Sequence, residues 1–166
     1  MGVPNPAIIA ATAVVQEDVT IGEGSRIGEF CFIRSSTVIG AQTTIGSYVG
    51  IEGNVHIGSG VSIQSGCHIT RGVIIGDLVF FGPRVVTMND RALTHARPSM
   101  PIEKAAPSVG SGARIGGGSL LLPGVVVGAN ALVLAGSVVA TSVPEGAIVA
   151  GNPTRIVGEV PASERL

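Results

Sequence analysis

An aliphatic residue recurs at every sixth position through the first half of the chain. The run extends from Ile9 to Phe81, and its thirteen consecutive positions hold twelve Ile or Val residues and one Phe. The residue four places after each aliphatic is small or β-branched, as in Ser25, Cys31 and Thr37. Neither the helical period of 3.6 nor the strand period of 2 produces a strict period of six. Coils with three flat sides of one hexapeptide each do, so the pattern predicts a parallel β-helix.

In this register each aliphatic side chain points inward and stacks on its equivalent in the next coil. Ile45 is therefore expected to lie between Ile27 and Ile63. The small residue should also point inward, near a corner where a large side chain would clash. Glycine often follows the aliphatic position, and we expect it to let the backbone turn there.

A second run of hexads, from Val109 to Val139, is out of phase with the first. Thr87, the next position of the first run, lies 22 residues before Val109, and 22 is not a multiple of six. The chain must leave the coil and return, which predicts a loop at about 88–107. Such an excursion in a compact protein is usually functional.

The two runs contain nineteen hexads, which at three per coil predict about six coils. After Pro144 the pattern dissolves, and a capping tail is expected over about 144–166. We therefore expect one all-β domain over residues 1–166.

Composition excludes several other classes of protein. The net charge of −1 gives no field that would attract nucleic acid. No charged residue lies between Arg114 and Glu145, but Pro123, Gly124 and Gly128 would break a membrane-spanning helix there. The N-terminus lacks the basic start of a signal peptide. A soluble cytoplasmic protein with no membrane or nucleic-acid partner is expected.

The two cysteines, Cys31 and Cys67, both occupy the small inward position and are 36 residues apart. Two coils at the strand spacing separate their Cα atoms by roughly 9–10 Å, and a disulfide requires less than about 7 Å. Both are expected to be reduced, buried and structural, rather than nucleophiles.

Several passages resemble the hexapeptide-repeat acyltransferases, whose fold is a left-handed parallel β-helix, and the resemblance covers about 4–158. FGP at 81–83 and TMNDR at 87–91 are similar to sugar-nucleotide N-acetyltransferases that acetylate a 3-amino group. The usual Phe-Thr-Asn of that group stands here as Thr87-Met88-Asn89. Four further passages resemble the half of bacterial acetyltransferases that binds acetyl-CoA. They are IGGG at 115–118, LPGVVVG at 122–128, AGSVV at 135–139 and AGNPTR at 150–155.

The resemblance implies an acetyl-CoA-dependent N-acetyltransferase that acts on an amino sugar nucleotide. It also implies a homotrimer with each active site between two neighbouring prisms. Residues 117, 135 and 136 would line the pantetheine groove through their backbone, and a terminal cation would meet the phosphates of coenzyme A. The corresponding cosubstrate residues are Gly117, Ala135, Gly136 and Arg155.

Three residues near the loop are candidates for the chemistry of transfer. Asn89 matches the Asn that the family places before the loop, and its carbonyl oxygen can accept from the sugar amine and orient the lone pair. An Asx turn that begins the loop is the alternative reading of Asn89. Asp90 is a candidate proton acceptor, although Asn-Asp-Arg is also ordinary turn chemistry, and His95 is a candidate general base. Arg84, Arg91 and Arg97 are candidates for binding substrate phosphates, because guanidinium groups form forked contacts with phosphate.

Three alternative functions stay open. An O-acetyltransferase acting on a sugar or a small hydroxyl acceptor would use His95 as its base. A γ-class carbonic anhydrase, which shares the fold, would bind zinc between subunits through three His. Here the chain has only His56, His68 and His95, and the first two are expected on different sides of the prism, so no metal is expected. The third alternative is a non-catalytic hexapeptide scaffold.

Overall fold

The computed structural model describes residues 5–166. Residues 1–4, where a signal peptide would begin, lie outside the described residues. The described chain winds through short strands of two residues into a stacked-coil prism, and ends in two longer strands and a 3₁₀ helix. The strands are β1 (Ile8–Ile9), β2 (Val14–Val15), β3 (Thr20–Ile21), β4 (Arg26–Ile27), β5 (Phe32–Ile33), β6 (Val38–Ile39), β7 (Thr44–Ile45), β8 (Gly50–Ile51), β9 (His56–Ile57), β10 (Ser62–Ile63), β11 (His68–Ile69), β12 (Ile74–Ile75), β13 (Phe80–Phe81), β14 (Val86–Thr87), β15 (Ser108–Val109), β16 (Arg114–Ile115), β17 (Leu120–Leu121), β18 (Val126–Val127), β19 (Leu132–Val133), β20 (Val138–Val139), β21 (Ala147–Gly151) and β22 (Thr154–Glu159); the 3₁₀ helix covers Ala162–Glu164.

Every third strand belongs to the same face of the prism. Face 1 has the order β1-β4-β7-β10-β13-β16-β19-β21-β22, face 2 the order β2-β5-β8-β11-β14-β17-β20, and face 3 the order β3-β6-β9-β12-β15-β18. All neighbours pair in parallel except β21 and β22. We call the turns that lead from face 1 to face 2 edge 1–2, and name edge 2–3 and edge 3–1 in the same way. This parallel stacked-coil solenoid is the architecture of the left-handed β-helix that the resemblance implied.

The predicted register is confirmed. Ile45 pairs with Ile27 on one side and with Ile63 on the other, and its exposed fraction is 1%. The small position is buried as well, since Ser25, Cys31 and Thr43 are almost inaccessible to solvent. The two inward positions of each hexad together build one continuous core along the prism axis.

The reason predicted for the recurrent glycines is wrong. Glycines that directly follow an inward aliphatic residue do not carry the turn; they allow the coils to approach each other. A Cβ on Gly46 would lie 2.7 Å from the main-chain nitrogen of Ser65, a distance that real Cβ atoms do not reach. The backbone turns two residues later, where a positive φ recurs whether or not the residue is glycine, as at Tyr48 (φ 59) and Gly66 (φ 74).

The prediction of about six coils is too low. Eight parallel strands stack on face 1, from β1 to β21, so the prism has about eight turns on its longest face. Faces 1, 2 and 3 carry eight, seven and six parallel strands, 21 in all, and two inward residues outside the 19 aliphatic hexads supply the two additional strands. Thr87 continues the first run in β14, and Val149 in β21 extends face 1 above β19.

The chain leaves the prism after Thr87 and re-enters it at Ser108, on edge 2–3. Beyond Pro144, β21 adds a last parallel strand to face 1 and β22 pairs with it in antiparallel fashion. The uncharged stretch that follows Arg114 forms coils of the prism, and across residues 5–166 no helix is long and apolar enough to cross a membrane.

Candidate active site

A cleft lies on edge 2–3, at the point where the loop leaves the prism. Its volume is about 560 Å³. Most of its lining residues are polar, and they come from three successive coils and from the returning strand of the loop: Glu52, Asn54, His68, Thr70, Arg71, Gly72, Asn89, Lys104 and Ala106. The coil spacing of about 4.8 Å brings these separated sequence positions together.

Asn89 is half-buried in this cleft, directly after the last strand before the loop. Its side-chain amide Nδ2 donates a hydrogen bond of 3.2 Å to the main-chain oxygen of Arg71, one coil below. This contact differs from the Asx turn that was the alternative reading, in which the side chain would bond to its own loop. With Nδ2 engaged, Oδ1 is the end of the amide that can accept a proton donor.

The base of the loop is a short antiparallel ladder. The main-chain oxygen of Asn89 accepts from the amide of Ala105 at 2.8 Å, and the amide of Arg91 donates to the oxygen of Glu103 at 3.0 Å. Between these bonds the Asp90 carboxylate forms an ion pair with Lys104. The candidate proton acceptor Asp90 is thus held by a cation, and Lys104 brings its amine to the cleft wall.

The structure places His68, and not His95, in the cleft with Asn89. His68 lies on face 2 in β11, with its side chain outward beside Ile69, which is buried. His95 is exposed near the tip of the loop, where its main-chain oxygen accepts a hydrogen bond of 3.1 Å from Arg97. The repeat could have identified His68. One coil contains eighteen residues, so Asn89 lies directly above Arg71, and His68 is only three residues before Arg71.

The three arginines expected to bind substrate phosphates lie in different parts of the structure. Arg91 follows Asp90 in the ladder, and its guanidinium reaches Gly124 on edge 2–3. Arg97 lies in the exposed part of the loop, beside a shallow cavity of about 300 Å³. Arg84 lies on edge 1–2, where it lines a cavity of about 510 Å³.

Three of the four residues expected to bind the cosubstrate, Gly117, Ala135 and Gly136, share edge 1–2. Gly117 accepts from the amide of Gly136 at 2.9 Å, so these positions stack in adjacent coils beside Ala135. A Cβ on Gly136 would meet nothing within 4 Å, which leaves the corner open to a ligand. Arg155 is exposed on β22, opposite Ala150, at the C-terminal end of the prism.

The two groups of candidate residues therefore lie on different edges of one chain. Asn89 lies on edge 2–3, whereas Gly117 and Gly136 lie on edge 1–2, and the whole of face 2 separates them. A single chain cannot bring them to one ligand. A site that uses both groups needs edge 2–3 of one copy against edge 1–2 of another.

Both cysteines are buried thiols, as predicted. The Sγ of Cys31 donates to the oxygen of Gly46 at 2.9 Å, and that of Cys67 donates to the oxygen of Gly82 at 3.1 Å. Burial raises the pKa of each thiol above its usual value. A raised pKa disfavours the nucleophilic thiolate, which agrees with a structural role.

The two histidines at twelve-residue spacing lie on different faces, as expected. His56 is in β9 on face 3 and His68 is in β11 on face 2. Within residues 5–166, no three His, Cys, Asp or Glu side chains of the one chain come close enough to hold a metal ion.

A prism of hexapeptide coils with polar clefts along its edges defines the class of hexapeptide-repeat proteins. Residues 2–107, more than half of the chain, match the family model described as the GMPPB C-terminal domain, so the chain belongs to that family. The curated proteins that it matches are named as acetyltransferases.

Individual relatives agree with this assignment. Serine acetyltransferase 4 of Arabidopsis thaliana is 34% identical over 88 residues, which are 53% of this chain and 24% of that protein. The chain spans less than half the length of the curated relatives that it matches first.

Two solved structures share the fold at low sequence identity. UDP-N-acetylglucosamine acyltransferase from Campylobacter jejuni has a TM-score of 0.68 at 17% identity, over 93% of this chain and 69% of that chain. A variant of AntD, an N-acyltransferase from Bacillus cereus in complex with dTDP and coenzyme A, has a TM-score of 0.58 at 22% identity, over 93% of this chain and 82% of that chain.

Proposed function

We propose that this protein is a cytoplasmic acetyl-CoA-dependent N-acetyltransferase whose acceptor is an amino sugar nucleotide of the 3-amino-deoxy type. The observation that carries the proposal is the position of Asn89, half-buried in a polar cleft at the root of the loop, with its amide nitrogen engaged by Arg71. The complex of AntD with dTDP and coenzyme A supports the choice of ligands, because AntD has the same fold.

The chemistry asks little of the protein beyond positioning. A neutral amine attacks the thioester carbonyl, a C–N bond forms, the C–S bond breaks and coenzyme A leaves as its thiolate, which takes up a proton from the solvent to become the thiol. Asn89 Oδ1 would accept one N–H of the amine and so direct its lone pair to the carbonyl carbon. The amine gives up its proton in the same step, either to water or to His68, which lines the same cleft.

The working unit would be a homotrimer. In it, edge 2–3 of one copy faces edge 1–2 of the next, so that Asn89 meets acetyl-CoA held along Gly117, Ala135 and Gly136 of its neighbour. Arg155 would contact the phosphates of coenzyme A, and the cations around the loop would contact those of the acceptor.

The second candidate function is O-acetylation of a sugar or small hydroxyl acceptor. One observation favours it: His68, an imidazole, lies in the cleft with Asn89. A hydroxyl needs a base to attack a thioester, whereas a neutral amine does not, so an imidazole at this point has its clearest use in O-transfer.

Acceptor profiling tests the proposal. Release of free thiol from acetyl-CoA is measured with amino sugar nucleotides, with the corresponding hydroxyl sugar nucleotides, and with serine, and melting curves are recorded with acetyl-CoA. We expect turnover with the amino compounds and thermal stabilisation by the cosubstrate. Turnover with hydroxyl acceptors alone would establish the second function. If the protein shows no turnover and no thermal stabilisation, both functions are refuted and a non-catalytic scaffold remains.

A further inference from the structure

Edge 1–2 carries an exposed aromatic stack near the N-terminal half of the prism. Phe30 and Tyr48 occupy the same turn position in adjacent coils, with φ values of 57° and 59°. Their ring centroids are 5.1 Å apart and the ring planes are 16° from parallel. The two residues are 55% and 65% exposed, so the stack stands out from the prism. One coil step is thus the spacing at which flat rings stack on this edge.

The next coil places a glycine at the same position. Gly66 has the same backbone conformation, with φ 74°, but it contributes no ring above Tyr48. A Cβ built there would meet only Cγ of Arg84, at 3.3 Å, so backbone does not fill the space. Arg84, one coil further, again has a positive φ of 59°. The stack is therefore interrupted for one coil, between a ring and a guanidinium group.

A cavity of about 510 Å³ occupies this interruption, which we call the Gly66 notch; its lining is Tyr48, Ser65, Gly66, Arg84 and Val86. Tyr48 and Arg84 are two coils apart, or roughly 9–10 Å. This is the backbone spacing; the Arg84 side chain borders the notch, because its Cγ would lie 3.3 Å from a Cβ on Gly66. A planar ligand ring that enters at the level of Gly66 would lie between the Tyr48 ring and the Arg84 side chain. A ligand ring in the coil of Gly66 would continue the stack that Phe30 and Tyr48 begin.

The charge at the notch is positive. Arg84 forms no salt bridge with any residue that the structure describes. The acid on this edge, Glu29, lies beside Phe30, and its carboxylate accepts from the hydroxyl of Thr12. A free guanidinium beside an open aromatic face suits a ligand that joins a flat ring to a phosphate.

We propose that the Gly66 notch binds a nucleoside diphosphate, with its base stacked on Tyr48 and its phosphates at Arg84. Two ligands of the proposed function carry this group, the sugar nucleotide and coenzyme A. Which of the two supplies the nucleoside diphosphate is the one part of this inference that rests on the proposed function. Arg84 is five residues before Asn89 in the same coil, so the notch lies at the height of the candidate active site along the prism axis.

The intrinsic fluorescence of the protein can be used to measure binding at the Gly66 notch. Tyr48 is its one tyrosine and there is no tryptophan, so intrinsic fluorescence comes from the residue that the base would cover. Titration of the protein with UDP, dTDP and ADP is compared with ribose 5-phosphate and pyrophosphate, which carry no base. The same nucleotides added to free tyrosine correct for light absorbed by the base. We expect saturable quenching by nucleoside diphosphates and none by the two baseless compounds.

A pair of matched variants tests the location. Gly66→Asn places a side chain in the notch, and Asn tolerates the positive φ. Gly60→Asn is the control, because Gly60 has the same conformation (φ 66°) at the equivalent turn of edge 3–1, where the new side chain displaces only the flexible end of the Leu78 side chain. We expect Gly66→Asn to weaken nucleotide binding about tenfold or more and Gly60→Asn to leave it unchanged. Arg84→Ala and Tyr48→Ala, measured by calorimetry, provide the same test if Gly66→Asn does not fold.

The outcomes separate the notch from the proposed function. Quenching by UDP or dTDP assigns the notch to the acceptor, and quenching by ADP alone assigns it to coenzyme A; both support the proposal. Equal binding by wild type, Gly66→Asn and Tyr48→Ala, or no saturable quenching by any nucleotide, would overturn it. Quenching by a nucleotide without acetyl transfer to any acceptor would refute the proposed function but still support nucleotide binding at the Gly66 notch.

Discussion

Asn89 donates its side-chain amide hydrogen to the main-chain oxygen of Arg71, across the boundary between two coils, at 3.2 Å. The partner is eighteen residues away, one full turn of the prism, so the geometry of the amide depends on the register of the coils. The bond fixes which end of the amide faces outward as an acceptor. A rigid solenoid thereby orients a loop residue that begins an irregular segment.

The first prediction concerns this amide. Asn89→Ala removes the acceptor that would orient the amine, and we expect kcat/KM for the amino acceptor to fall about 100-fold, with the melting temperature close to that of wild type. His95→Ala serves as the control, since His95 is exposed in the loop and outside the cleft. Thiol-release kinetics on both variants, with one acceptor, make the comparison.

The opposite ranking would contradict the assignment. A loss of about 100-fold or more at His95, with a mild effect at Asn89, would mean that the loop closes over the cleft and brings its own base. Asn89→Asp adds a second test: it keeps an acceptor oxygen but loses the donor to Arg71, so its defect reports the lost orienting bond together with the added negative charge.

The second prediction concerns the core. Ile45→Asp buries a charge with no partner in a position that is 1% exposed, and we expect no soluble folded protein. Thr44→Asp, in the same strand, directs the charge to solvent and should fold normally. Ile45→Val should fold with a loss of about 0.5–1.5 kcal/mol in the free energy of unfolding. Chemical denaturation measures all three variants, and a stable Ile45→Asp protein would refute the register.

The sequence predicted the prism well because burial alone imposes the period of six. Ile27, Ile45 and Ile63 must all face one core, and a single shift of register would expose every one of them. The glycines were harder to interpret. Gly46 and Gly66 look alike in sequence, but the first is required by a close approach of backbones and the second occupies a turn position that Tyr48 also adopts.

The site was predicted less completely because it combines residues from different coils. The resemblance identified Asn89 from its place before the loop, and the structure lines the same cleft with His68, Arg71 and Lys104. His68 was expected only to lie on a different side of the prism from His56. Lys104 depends on the path of the loop, which no repeat governs, and its pairing with Asp90 follows from that path.

The third prediction concerns the loop. Replacing residues 90–104 by a short Gly-Ser link should leave the prism folded, because β14 pairs with β11 and β17, and β15 with β12 and β18. Activity should vanish, since Lys104 and the ladder that holds Asn89 are lost. Circular dichroism and thiol release provide the two measurements.

A shorter deletion is the control for this experiment. Removal of residues 93–101 keeps the Asp90–Lys104 pair and the hydrogen bond from Ala105 to Asn89, but it removes His95. Because Arg97 is removed as well, we expect KM for the acceptor to rise, while kcat stays close to that of wild type. Full activity in the longer deletion would show that the cleft on edge 2–3 is not the site.

The fourth prediction concerns stability at alkaline pH. Burial raises the pKa of Cys31 and Cys67, so the folded protein retains thiol protons that the unfolded chain loses above about pH 8.5. Their contribution to stability is fully present below the unfolded pKa and is lost as the pH rises through the folded pKa. The urea concentration at the midpoint of unfolding should therefore decrease as the pH rises from about 8 to about 10.

A double variant isolates the thiols. Cys31→Ser with Cys67→Ser should fold, because Ser25 occupies the equivalent inward position and its hydroxyl donates to the oxygen of Gly40 at 2.8 Å. We expect its unfolding midpoint to fall less steeply over the same pH range. Identical slopes for the two proteins would mean that the thiols do not titrate differently in the folded and unfolded states.

The last prediction concerns the proton. His68 and His56 both lie one residue before an inward Ile, in β11 and β9, and both side chains are exposed. Only His68 lies in the cleft with Asn89, whereas His56 lines an adjoining cavity of about 310 Å³ on face 3, which shares Asn54 and Gly72 with the cleft. This pair therefore gives a test of position with the residue type held constant.

For an amine that arrives neutral, water can take the proton, so His68→Ala should reduce kcat/KM for the amino acceptor only slightly, and His56→Ala not at all. For a hydroxyl acceptor a base is indispensable, and His68→Ala should cost about 10²–10⁴ in kcat/KM and remove one limb of its pH profile. A large loss with both acceptors would make His68 the general base of an N-acetyltransferase. Equal effects of His68→Ala and His56→Ala would exclude any role for the cleft histidine, because the two variants differ only in the cleft that they face.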